Sequence, residues 1–100
     1  MITPQDAKAL LDSGAAITLV DVRQPEEYEN GHIPGALLLP DTDLREQAET
    51  ALPDKNAAIV VYCRSGARSA MAARMLREMG YTDVRDLGGI IDWPYDTTTD

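Results

Sequence analysis

Residues 57–79, AAIVVYCRSGARSAMAARMLREM, pass from a β-branched apolar run, through a short cationic turn containing glycine, into a stretch of helical periodicity. Ala57 to Tyr62 is too short for a stable helix and nearly uniformly apolar, which predicts a strand buried on both faces. From Ser69, Met71, Met75 and Met79 recur at i, i+4 and i+8 beside Ala72 and Leu76, and Gly80 follows. That spacing predicts an amphipathic helix ending at Gly80, with its methionine stripe packed on the core.

The remaining segments repeat the alternation. Thr3, Pro4 and Asp6 read as an N-cap, a proline at the first helical position and an acid in the first turn of a short helix closed by Gly14. Ala16 to Val22 (AITLVDV) predicts a second buried strand. In QPEEYENGHIPG, Pro25 starts one helical turn, while Gly31, Pro34 and Gly35 demand irregular backbone. Ala36 to Leu39 predicts a short strand before Pro40, Asp43 to Leu52 a helix stopped by Pro53, and Asp83 to Leu87 a last short strand. Gly88 and Gly89 are expected to open a turn, and residues 94–100 to fray. Strands alternating with helices imply an α/β domain built on a mostly parallel sheet, and 100 residues suit one such domain spanning 1–100.

Charge and cysteine usage narrow the chemistry. A net charge of −8 argues against nucleic acid or anionic membrane as a partner, because both are bound by clustered Lys and Arg that displace counterions. No apolar run approaches the roughly 20 residues that cross a bilayer, and the first residues lack the pattern of a secretory signal, so cytoplasm is the expected location. One cysteine forms no internal disulfide, and one Cys with one His makes no tetrahedral zinc site without several carboxylates. No metal or cofactor is expected.

Against that acidic background Arg64 and Arg68 make a positive island beside Cys63. A free thiol has a pKa near 8.5, and the thiolate is the nucleophile. Raising the ratio of thiolate to thiol about a hundred-fold takes roughly 2.7 kcal/mol, and a helix N-terminus with adjacent arginines supplies energies of that order. No histidine base is required. The sole histidine, His32, reads as a loop residue hydrogen-bonded to backbone rather than as the base. Gly66 permits a turn in which successive N–H groups face one centre, a cradle for a thiolate, an attached sulfur or an oxyanion. The residues themselves leave the electrophile open.

CRSGARS (63–69), together with LVDVRQPEEYENGHIPGALLLP (19–40) and DLGGIIDW (86–93), resembles the single-domain rhodanese family of thiosulfate sulfurtransferases. The resemblance covers about residues 3–93. It implies that Cys63 is the nucleophile, accepting sulfane sulfur as a persulfide and passing it to cyanide or a thiol. It further implies that the loop of Arg64, Ser65, Gly66, Ala67, Arg68 and Ser69 surrounds that sulfur, the two arginines favouring an anionic donor such as thiosulfate. Asp21, Arg23 and Glu27 are expected to serve as structural support through charge-assisted hydrogen bonds, and Trp93 to cover the core. The expected partners are a small sulfur-containing anion and a thiol acceptor, or a sulfur-relay protein.

Two rivals follow from the same residues. A sulfur-carrier module would receive persulfide from a partner protein and barely use free thiosulfate. Phosphatase or arsenate reductase chemistry would use the same thiolate, but protein tyrosine phosphatases carry five residues between Cys and Arg, whereas four, Arg64 to Ala67, lie between Cys63 and Arg68. A shorter loop suits one sulfur atom better than a phosphoryl group. Phosphatase chemistry also wants a carboxylic acid to protonate its leaving group, which sulfite does not need.

Overall fold

A computed structural model describes residues 1–100. The elements are α1 (Pro4–Asp12), β1 (Ile17–Asp21), α2 (Pro25–Glu29), β2 (Leu37–Leu38), α3 (Leu44–Ala51), β3 (Ala58–Cys63), α4 (Ala67–Glu78) and β4 (Asp83–Gly89), with a 3-10 turn over Ile90–Asp92. The four strands form one wholly parallel sheet in the order β2-β1-β3-β4. Every strand is thus joined to the next by a crossover, as the alternation of strand and helix requires.

Local chemistry explains the boundaries. The Thr3 hydroxyl caps α1 by accepting from the Asp6 N–H at 3.1 Å, with Pro4 at the first helical position. Helix α2 begins at Pro25, and the Glu27 carboxylate accepts the Gln24 N–H at 3.1 Å, satisfying a donor that the short helix leaves over. Gly66, at φ +111°, turns the chain from β3 into α4.

The sheet divides the core in two. On one face Val20, Val22, Ile59, Val61 and Cys63 pack against Leu44, Ala48, Ala72, Ala73 and Leu76 of α3 and α4. On the other, Leu19, Val60 and Tyr62 pack against Ile2, Ala7, Ile33 and Trp93. Strand β3, buried almost throughout, carries side chains into both. The period-2 alternation of β3 therefore sends Cys63 and Tyr62 to opposite faces.

Three expectations need correction. Met75 and Met79 pack against the core, but Met71 is 69% exposed, because α4 buries Ser69, Ala72, Ala73 and Leu76, a face that points away from Met71 and leaves Met75 and Met79 at its margin. Gly88 and Gly89 do not open a turn. They extend β4 after a bulge, in which the partner of Val61 is Asp86 and that of Tyr62 is Gly88, so that Gly89 lies opposite Cys63. The C-terminal residues do not fray: Thr98 and His32 exchange both backbone hydrogen bonds at 2.8 Å, and the Trp93 indole donates to the Asp96 carbonyl at 3.2 Å. Backbone pairing holds a segment whose polar composition alone would leave it free.

Candidate active site

Cys63 ends the central strand, and the chain folds back over it at once. Its side chain is fully buried. Sγ accepts the Gly66 N–H at 3.0 Å, and the Ser65 N–H together with the N–H and hydroxyl of Ser69 also favours the ionised sulfur. Burial works against the thiolate and is the largest single influence. The combined donors outweigh it, and the thiol pKa falls below its ordinary value. All of these donors come from the first residues after Cys63, where amides not yet engaged in the helix point back at the strand end.

Ser69 locks the arrangement. Fully buried, its hydroxyl lies 3.1 Å from the Gly66 carbonyl and 3.3 Å from that of Gly88. Its proton can serve one acceptor at a time, so the hydroxyl can turn between carbonyl and sulfur as the sulfur's charge changes. The opposite wall is β4. A Cβ on Gly89 would come within 2.7 Å of Ser65 Cα and closer still to the Arg64 carbonyl oxygen, so only glycine lets the strand pass this near the loop. The Ile91 N–H donates to the same Arg64 carbonyl at 3.2 Å. The β4 bulge, supported by the Gly88 N–H donating to Asp86 Oδ1 at 2.9 Å, thus shapes the loop from outside.

The two arginines differ. Arg68 is held in a two-pronged pair by Glu27, with Nη1 2.7 Å from Oε1 and Nη2 2.8 Å from Oε2. Hydrogen bonding to Arg68 holds the Glu27 carboxyl down at about 2, and Glu27 in turn raises the pKa of Arg68, aided more weakly by the charge on Cys63. The pair ties the loop to α2, an element far away in sequence. Arg64 is exposed and makes no ion pair. Ser65 and Ala67 are exposed as well, while Gly66 is half-buried.

Asp21 and Arg23 form a separate buried cluster. Arg23 Nε donates to both carboxylate oxygens of Asp21, and Nη2 bridges Asp21 Oδ2 and the Gly31 carbonyl, each at 2.7 Å. The Tyr62 hydroxyl donates to Asp21 Oδ2 at 2.8 Å and accepts the Ile33 N–H at 3.1 Å. Burial and the adjacent Asp21 charge push the Tyr62 hydroxyl well above its usual range, so it stays protonated and donating. The cluster joins the carboxyl ends of β1 and β3 to the loop of residues 30–36. Sequence reasoning overlooked Tyr62 as part of this cluster; a lone Tyr in an apolar strand was the available signal.

His32 is buried, its Nδ1 2.8 Å from the Tyr28 carbonyl oxygen and its ring stacked on Tyr28 with centroids 3.6 Å apart. Both contacts are to Tyr28 of α2, four residues earlier in the chain, and neither reaches Cys63.

The arrangement can bear a nucleophilic sulfur and hold a second, anionic atom beside it. A rhodanese-like domain family model matches residues 3–94. The thiosulfate sulfurtransferase PspE of Escherichia coli is 45% identical over 78 residues, which cover 78% of this chain and 75% of that protein. A sulfurtransferase of Allochromatium vinosum is 46% identical over 78 residues, 77% of this chain and 71% of that one. Other relatives are longer, and the chain spans 24% of the length of one from Mycobacterium tuberculosis. Among solved structures, the human single-domain sulfurtransferase TSTD1 superposes with a TM-score of 0.83 at 30% identity, covering 93% of each chain. With this match along nearly its whole length, the chain belongs to the rhodanese-like domain family.

Proposed function

We propose that the chain is a rhodanese-type sulfurtransferase in which Cys63 is the nucleophile, thiosulfate or a similar sulfane compound the donor, and cyanide or a thiol the acceptor. The observation that carries this reading is the Gly66 N–H donating to Cys63 Sγ at 3.0 Å within a set of donors strong enough to overcome burial. The relatives' sulfurtransferase names support the reaction class.

The thiolate of Cys63 attacks the outer sulfur of thiosulfate. A Cys63 Sγ–S bond forms, the S–S bond of thiosulfate breaks, and sulfite leaves with the electron pair. The outer sulfur, now anionic, takes the place of the thiolate before the Ser65, Gly66 and Ser69 donors. Attack by cyanide carbon, or by a thiolate, on that outer sulfur breaks the bond to Sγ and returns the Cys63 thiolate. Because Arg68 is engaged by Glu27, Arg64 is the cation at hand for the incoming anion, and Arg68 acts chiefly by holding the loop.

Intact mass after thiosulfate treatment tests the reading, with Cys63→Ser as the control. Wild type should gain one sulfur atom, lose it on adding cyanide and release thiocyanate, while the variant gains none. A wild-type chain that gains no sulfur from thiosulfate or from an inorganic polysulfide sinks the proposal.

A further inference from the structure

Four of the chain's nine Lys and Arg residues, Arg64, Arg68, Arg74 and Arg77, fall between Cys63 and Glu78 with no acid among them, in a chain of net charge −8. Helical spacing puts Ala67, Met71 and Arg74 in one row on the outer side of α4, and all three are exposed. Ala67 belongs to the Cys63 loop, so Met71 stands one turn from it and Arg74 two. On the loop's other flank Ile91 is 63% exposed, its backbone bonded to Arg64. Two large apolar side chains and two unpaired arginines, Arg64 and Arg74, therefore frame the loop over Cys63. Asp92, exposed beside Ile91, leaves this frame net positive.

From this frame we infer that the outer face of α4, with Arg64 and Ile91, is a docking surface for an acidic protein that presents a cysteine thiol as the sulfur acceptor. The inference rests on the sulfurtransferase reading and adds to it a partner and a surface. Exposed methionine and isoleucine are the kind of anchor a protein partner buries, and the arginines at the rim select acidic partners and speed encounter. A second copy of this chain is a poorer occupant, since a two-fold pairing of this frame would bring the like-charged arginines of the two copies together. In the docked pair, the partner's thiolate attacks the outer sulfur of Cys63 persulfide. The new S–S bond forms on the partner's cysteine, the bond to Cys63 Sγ breaks, and Cys63 departs as thiolate with no net oxidation.

The probes are two synthetic peptides with one central cysteine and flanking leucines, one otherwise rich in Glu and the other in Lys. Sulfur transfer from Cys63 persulfide is followed by mass. The Glu peptide should be the better acceptor by about ten-fold in kcat/KM at low salt, with the preference collapsing near 0.5 M NaCl. Arg74→Glu and Met71→Ser should each slow transfer to the Glu peptide by about three- to ten-fold while leaving transfer to cyanide unchanged. Lys8→Glu, the same change of charge on the opposite face of the sheet, should have no effect. Equal use of both peptides, an equal response to Lys8→Glu, or a wild-type dimer broken by Arg74→Glu would overturn the proposal. Fluorescence anisotropy with a Ser-containing Glu peptide reads docking without sulfur: Arg74-dependent binding by a chain that never forms a persulfide would sink the chemistry and retain the surface, and loss of binding would sink the surface.

Discussion

No imidazole is bonded to Cys63, so the acidity of its thiol rests on donors folded over it, and the Ser69 hydroxyl is the one most open to substitution. Ser69→Ala removes a donor to the thiolate but leaves the Ser65 and Gly66 amides in place. Alkylation of Cys63 by iodoacetamide should then have its pH midpoint moved upward, and at neutral pH should slow by about three- to ten-fold, the usual scale of one hydrogen bond to a charged group. An unchanged midpoint would assign Ser69 to holding the Gly66 and Gly88 carbonyls alone. In the wild type the sign is set by the lowered folded pKa: reactivity persists below the ordinary thiol range and falls away as pH drops through the depressed value.

At the scale of elements, the loop is held by contacts of its own and by a strand that leans on it. Gly89→Ala forces a methyl against Arg64 and Ser65 backbone, which has no flexible end to move aside. Activity should fall by at least ten-fold, and thermal stability by about 1–3 kcal/mol, through displacement of the loop or of β4. A Gly89→Ala variant with native kinetics would show that the wall is not needed. The elements themselves were legible: Thr3–Pro4–Asp6, the AAIVVY run and the Gly66 turn each carry a local rule that the fold obeys. Met71 was not, since a stripe at i, i+4 and i+8 drifts around the helix by about 40° per step, and the small residues Ser69, Ala72 and Ala73, rather than the methionines, mark the side of α4 that meets the sheet. Nor was the β4 bulge, which depends on what Gly89 faces across β3. The pairing of Glu27 with Arg68 rather than Arg23 was hidden for the same reason: both arginines are chemically equivalent partners, and only the approach of α2 to the start of α4 in the folded chain selects one.

For the molecule as a whole, the Glu27–Arg68 pair couples stability to acid. Glu27 titrates near 4.5 when unpaired and at about 2 in the fold, so its contribution is complete above 4.5 and is lost as pH falls through about 2. Both side chains are about a third exposed, and solvent screening limits the contribution to about 1–2 kcal/mol. Urea titrations should therefore show Glu27→Gln less stable by that amount at pH 7, with the gap to wild type closing between pH 4.5 and 2. A gap that persists unchanged at pH 2 would assign the loss to something other than the carboxylate.

The hydrogen bonds from Tyr62 to Asp21 and from Arg68 to Glu27 each join residues 41 apart in sequence. Closing loops of that length is entropically costly, so such contacts form only after β1 and β3 have found each other. During folding, then, Cys63 passes through a period as an ordinary thiol of an ordinary chain, with its local donors unsupported. The depressed thiol pKa belongs to the folded chain, because the Gly66 turn that presents its donors is held in place from outside by the Glu27–Arg68 pair and by the close approach of Gly89.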